Sequence, residues 1–195
     1  MRKLPLLLVP LLFNLLFAIA SNAQDKIELF GGYSYLRPAV SLSQAIVCPV
    51  GILPPCPVIT TTTHLNLNGW ELSGTFYAGR WIGLTADFSG HYGSTQGVST
   101  HLQTYLFGPQ VRVPGKVSPF AHVLFGGAHE FLGAAPGLVN SGTTSAFAAA
   151  AGAGIDIKVA PFLSFRPIQM DYLLTRFGSS TQSQPRVTAG VLLRF

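Results

Sequence analysis

Eight stretches of roughly ten residues, each alternating bulky apolar side chains with small, polar or charged ones, run from Lys26 to Phe195. Period two is the strand period, because successive Cβ atoms point to opposite faces of a sheet. In Lys26–Leu36, Ile27, Leu29, Gly31, Tyr33 and Tyr35 oppose Glu28, Phe30, Gly32 and Ser34. Asn66–Ala78 sets Trp70, Leu72, Gly74 and Phe76 against Glu71, Ser73, Thr75 and Tyr77. Trp81–Tyr92 and His101–Val113 continue the pattern, with Asp87 and Arg112 on their polar faces. Val117–Phe131, Ser145–Lys158, Phe162–Thr175 and Arg186–Phe195 complete the set. In the seventh stretch Arg166 shares a face with Gln169 and Asp171 only if the phase shifts. Pro167, which cannot donate a ladder hydrogen bond, is the natural place for a bulge.

The gaps differ in kind. Gly79-Arg80, Pro114-Gly115-Lys116 and Val159-Ala160-Pro161 are turn-like, whereas 37–65, 93–100, 132–144 and 176–185 are longer and rich in Gly, Pro or Ser. Short turns on one rim and long loops on the other mark an up-and-down barrel that crosses a membrane. Charge separates this from a soluble barrel, which would hide its bulky apolar face inside. Here the charged residues always oppose the Trp, Phe, Leu and Ile face, and charged residues are 10% of the chain against about 25% in a soluble domain. The fold expected is all-β: an eight-stranded antiparallel transmembrane barrel spanning residues 24–195.

Residues 1–23 read as a cleaved signal peptide. Arg2 and Lys3 precede an apolar run, and Ser21 and Ala23 suit a cut after Ala23. With no cysteine following the cut, a lipid-anchored form is disfavoured. Loss of Arg2 and Lys3 leaves ten basic and seven acidic residues, a formal charge of +3 in place of +5. So small an excess argues against a nucleic-acid partner. Beyond Ala23 no apolar run reaches the roughly 18 residues a membrane helix needs, so closed strands must do any spanning.

An eight-stranded barrel has room for its own side chains or one small ligand. The pattern points Glu28, Glu71, Asp87, Arg112, Glu130, Asp156, Arg166, Asp171, Arg186 and Arg194 inward. Unpaired buried charge is costly, so a plugging charge network is expected, with Arg112 and Arg166 among Glu71, Asp87, Glu130 and Asp171. An ion path through the lumen is the alternative. Tyr33, Tyr35, Trp70, Trp81, Tyr92, Phe131, Tyr172 and Phe195 fall near strand ends, as interfacial belts require.

Cys48 and Cys56 are the two cysteines; in an exported protein a disulfide closing the loop between them is expected. A metal site would need more ligands than nearby His64 supplies. A lipid-modifying enzyme would need a Ser, a His and an acid at one rim. His91 with Ser94 is the pair to weigh, whereas His129 and Glu130 point to opposite faces. No cofactor motif is present, so no cofactor, metal site or catalytic residue is expected.

Ile27-Glu-Leu-Phe-Gly-Gly-Tyr-Ser-Tyr-Leu36, Tyr105-Leu-Phe-Gly-Pro-Gln-Val-Arg112, Arg166-Pro-Ile-Gln-Met-Asp-Tyr172 and the ending Val187–Phe195 resemble the OmpA-like, porin-like outer-membrane β-barrel family. The resemblance implies that Val191, Leu193 and Phe195 form the assembly signal read by the outer-membrane insertion machinery. It also implies outer-membrane lipids as surroundings, periplasmic termini, external long loops and a monomer. Since the chain stops at Phe195, no cell-wall tether is expected. A structural or surface-contact role comes first, then a narrow channel, then a lipid-modifying enzyme; the sequence names no extracellular ligand.

Overall fold

An open sheet with lipid against one face would leave the backbone N–H and C=O groups of its edge strands without partners, which only closure removes. The computed structural model describes residues 26–45, 58–64, 66–95, 98–132, 142–177 and 180–195. Its strands are β1 (Ile27–Leu36), β2 (Ala39–Ala45), β3 (Val58–His64), β4 (Leu67–Tyr77), β5 (Ile82–Thr95), β6 (Val98–Arg112), β7 (Val117–Leu132), β8 (Gly142–Ala160), β9 (Leu163–Phe177) and β10 (Ser180–Arg194). β1 and β4 to β10 form a closed antiparallel barrel in which β1 pairs with both β10 and β4. Gly31 stands opposite Val191 on one side and Leu72 on the other. The seam is finished by Phe195 N donating to Ile27 O at 2.9 Å and Ile27 N to Phe195 O at 3.1 Å.

All eight expected stretches lie in the wall. At Pro167 the expected bulge is present: between Phe165 and Ile168 β9 spends three residues against two of β8, and between Arg166 and Gln169 three against two of β10. This extra residue turns Arg166, Gln169 and Asp171 to the same side. All four stretches expected as loops are corrected, 132–144 because β7 and β8 run on until Leu132 faces Gly142. Strands β5 and β6 run on until Thr95 faces Val98, and β9 and β10 until Phe177 faces Ser180. Within 37–65, β2 and β3 make a separate two-stranded ribbon with Ala39 opposite His64. Thr is at home in a strand and Ser and Gln can enter a ladder, so polar composition alone did not mark a loop. The leader and both cysteines, with the expected disulfide, lie outside the described residues.

The wall faces the way the alternation requires. Leu84, Phe107, Phe125, Phe147 and Met170 are exposed on the outside, at 48 to 64% for these five, while Glu71, Asp87, Asp171 and Arg186 are buried inside at 4% or less. Two outward aromatics lie over glycines of the next strand: a Cβ on Gly90 would meet the Trp70 indole at 3.0 Å, and one on Gly127 the Tyr105 ring within 2.9 Å. Such pairs shield strand glycines and hold register.

Candidate functional site

The lumen is filled in layers. At the short-turn end, Glu28 accepts from Arg194 Nε at 2.8 Å and from Arg112. Beside them Arg166 clamps Asp156 with Nε and Nη2 at 2.7 and 3.1 Å. Its guanidinium lies 4.0 Å from the Phe120 ring centroid and 4.4 Å from that of Phe30, while Arg112 lies 3.7 Å over Tyr77. Planar cations on aromatic faces lose little hydration and keep fixed orientations.

The middle layer centres on Arg186. It donates Nη1 and Nη2 to Asp87 at 3.1 and 3.0 Å and Nε to Asp171 at 2.8 Å, with Glu71 Oε2 at 3.5 Å. Gln169 donates to Glu71 at 2.9 Å and to Asp171 at 2.8 Å, and accepts from Arg166 at 2.6 Å, tying this layer to the one below. Thr188 donates to Glu71 at 2.8 Å, and His122 Nε2 lies 3.0 Å from Asp171. One arginine is thus the common counter-ion of three carboxylates, and neutral donors fill further lone pairs of Glu71 and Asp171.

Above this comes an apolar layer, Leu36, Leu67, Leu102, Leu106, Leu124 and Leu173, packed with Ala128, Ala148 and Ala150. Each is 3% exposed or less. Over it, at the loop end, Glu130 lines a space of about 20 Å³ with Thr100, Gln182 and Gln184.

The expected network is therefore redistributed. Glu71, Asp87 and Asp171 are brought together, and Arg166 reaches them through Gln169. Arg112 sits instead with Glu28 at the short-turn end, because Arg112 is the last residue of β6 there while Glu71 lies halfway along β4. Glu130 is separated from the cluster by the leucines, being near the far end of β7. Arg186 and Gln169, missed as organisers, carried a signal: Arg186 is the cross-strand partner of Asp171, and Thr188 that of Gln169. The leucine layer was hidden because its members alternate like the rest, on the face taken to be polar. His91 and Ser94 do not approach as a catalytic pair. His91 is buried with its Nε2 2.9 Å from Ser34 Oγ, while Ser94 is exposed on the opposite face. His129 instead meets Ser145 outside, at 2.9 Å.

The two rims differ in charge. No Asp, Glu, Lys or Arg occurs between Arg37 and Glu71, Asp87 and Arg112, Glu130 and Asp156, or Arg176 and Arg186, so the charged residues at the loop rim are Arg37, Glu130 and Arg176. The opposite rim carries Lys26, Arg80, Lys116 and Lys158.

No protein-family model and no curated protein matches the sequence. Solved structures do. Ail, the attachment invasion locus protein of Yersinia pestis, superposes with a TM-score of 0.55 at 15% identity, covering 89% of this chain and 100% of its own. Neisserial surface protein A gives 0.60 at 10% identity over 86% and 97%, and OprG from Pseudomonas aeruginosa 0.52 at 10% over 88% and 96%. At such identities the likeness is one of fold, and it is the fold the sequence resemblance implied. The chain is an eight-stranded, closed, antiparallel transmembrane β-barrel with the architecture of outer-membrane proteins.

Proposed function

We propose that this protein is a closed structural barrel of the bacterial outer membrane whose loop rim serves surface contact. The leucine layer carries the reading. Stacked on the Arg186 cluster, it fills the lumen with a dry section and an ion-paired section in series, neither of which offers hydrated ions a path. Strands β5, β6, β9 and β10 continue to two-residue connections, and the β2–β3 ribbon adds a further platform on the same rim. Ail has been solved with the heparin analogue sucrose octasulfate. On this chain the loop rim has no run of cations, so a neutral, hydroxyl-rich contact surface suits it better than a sulfated polymer.

Val191 and Leu193 face outward on β10, and Phe195 pairs with Ile27 at the closing seam. That placement supports their role as the signal for the insertion machinery, with the termini periplasmic. In planar bilayers the full chain is expected to give no conductance steps. Cells producing it are expected to lose adhesion or self-association when residues 39–64 are replaced by a short Gly-Ser link, at equal amounts of folded barrel. Steady ohmic steps would overturn the closed lumen, and unchanged adhesion would overturn the contact role.

A further inference from the structure

The short-turn end of the barrel opens into a cavity of about 670 Å³ whose lining includes Arg80, Arg112, Lys116, Lys158 and Arg194. Turn geometry gathers these cations from separate strands. Lys158 N donates to Lys116 O at 2.8 Å, and Arg112 N to Trp81 O, next to Arg80, at 2.8 Å. Among the described residues the side-chain carboxylates at this end are Glu28 and Asp156. Both are buried outside the cavity lining and engaged by Arg112, Arg194 and Arg166. Arg194 Nη2, itself buried, makes no hydrogen bond and has Asp156 Oδ2 at 3.6 Å. Among the described residues the lining of this cup thus carries cations and no carboxylate side chain, on the rim opposite the one that holds Arg37, Glu130 and Arg176.

A second cleft, of about 320 Å³, opens on the outer wall and shares Arg112 with the cup. Trp81, Val111, Val113, Pro119 and Ala121 line it. Such a cleft on a membrane-facing wall is the size and chemistry of an acyl-chain segment. Beside it, Trp81 is 57% exposed, where an interfacial indole places the headgroup zone. A cationic cup alone would suit any phosphate ester. A cup with an apolar cleft on the outer face of the same strand end, at headgroup level, suits an amphiphile, since a soluble ester leaves the cleft unused.

We propose that the short-turn end binds an anionic phospholipid, with its phosphate in the cup beside Arg80 and Lys116 and an acyl chain in the cleft beside Trp81. Electrostatic attraction of a surface cation to anionic lipid is worth about fivefold in affinity per charge.

The chain has two tryptophans, so Trp70→Phe leaves Trp81 as the reporter and Trp81→Phe leaves Trp70. The full chain is refolded into phosphatidylcholine vesicles containing equal mole fractions of acyl-brominated phosphatidylglycerol or acyl-brominated phosphatidylcholine. Trp81 is expected to be quenched at least about twofold more by the brominated phosphatidylglycerol, and Trp70 equally by both. Arg80→Gln with Lys116→Gln, both exposed turn residues, is expected to bring Trp81 to parity. Arg37→Gln with Arg176→Gln, on the other rim, is expected to leave the preference intact. Equal quenching of Trp81 in the parent protein, or a preference that survives the turn-rim variant, would overturn the proposal. Equal quenching of Trp81 by both lipids together with saturable binding of soluble glycerol phosphate would assign the cup to a soluble ester and overturn the lipid.

Discussion

Arg186 on β10 reaches across the lumen to Asp87 on β5, its two terminal nitrogens meeting the two carboxylate oxygens at 3.1 and 3.0 Å. The strands do not touch in the wall, since β1 and β4 lie between them. The fork is therefore a strut from wall to wall, and the same guanidinium also holds Asp171.

Replacing Arg186 by Met would keep the volume but leave Glu71, Asp87 and Asp171 buried without their common counter-ion. Breaking a buried pair from one side costs about 3–5 kcal/mol. Asp87→Asn leaves Arg186 with Asp171 and Glu71, and is expected to cost about 1.5–3 kcal/mol, the range for a hydrogen bond to a charged group. Urea unfolding from vesicles, followed by the gel shift between folded and boiled protein, measures both. Should Asp87→Asn prove the more damaging, Arg186 is not the centre of the layer.

Gly152 makes room for that layer. A Cβ placed there would lie 1.8 Å from Asp171 Oδ1 and 2.7 Å from the Met170 carbonyl oxygen. The carboxylate is held by Arg186, Gln169 and His122 and the carbonyl belongs to the wall, so neither yields cheaply. Gly152→Ala is expected to destabilise by about 1–3 kcal/mol, as overpacking does. Gly79 sits in the turn before β5 with nothing within 4 Å of an added Cβ. Gly79→Ala is expected to stay within about 0.5 kcal/mol of the parent. Equal midpoints for the two variants in the same urea assay would refute the steric account.

Which face of each strand meets lipid was legible in the sequence, because a period of two is local and a charge on one face is unambiguous. The bulge at Pro167 was legible for the same reason, as Arg166, Gln169 and Asp171 could share a side only through an extra residue. Partner choice inside the lumen was not. Arg112 and Glu71 point inward alike, yet their heights along the axis differ, and height depends on register and strand tilt rather than on alternation. The leucine layer was lost to the same limit, since Leu106 and Leu124 sit at inward positions that alternation alone assigns to polar groups. Strand lengths toward the loop rim were also obscure: Gly93, Ser94 and Thr95, then Val98, Ser99 and Thr100, show no alternation of apolar and polar residues to read.

The apolar wall should be sensitive to charge in proportion to depth. Phe107 faces outward in mid-strand, opposite Phe125 and Ala86, whereas Val113 lies just past the end of β6 at the short-turn rim. An arginine costs about 2–4 kcal/mol at the bilayer midplane and about 0–1 near the interface. Phe107→Arg is therefore expected to cost several times more than Val113→Arg on unfolding from phospholipid vesicles. Similar costs at both positions would mean that the belt is not centred on the middle of these strands.

The leucine layer should divide the lumen into a wet and a dry compartment. Gln182 lines the small space at the loop end, while Ser89, 2.6 Å from Thr104 and 3.3 Å from Arg186 Nη1, lies on the other side of Leu106. With Cys48 and Cys56 changed to Ser, a cysteine replacing Gln182 is expected to react readily with a water-soluble maleimide, and one replacing Ser89 to resist it. Leu106→Ala removes a wholly buried side chain from the layer, at a cost of about 2–5 kcal/mol, and is expected to expose position 89 to the reagent while the barrel stays folded. Labelling of position 89 at the rate of position 182 in the otherwise unaltered lumen would show that water passes the leucines freely, and the closed barrel would have to be read as a narrow pore.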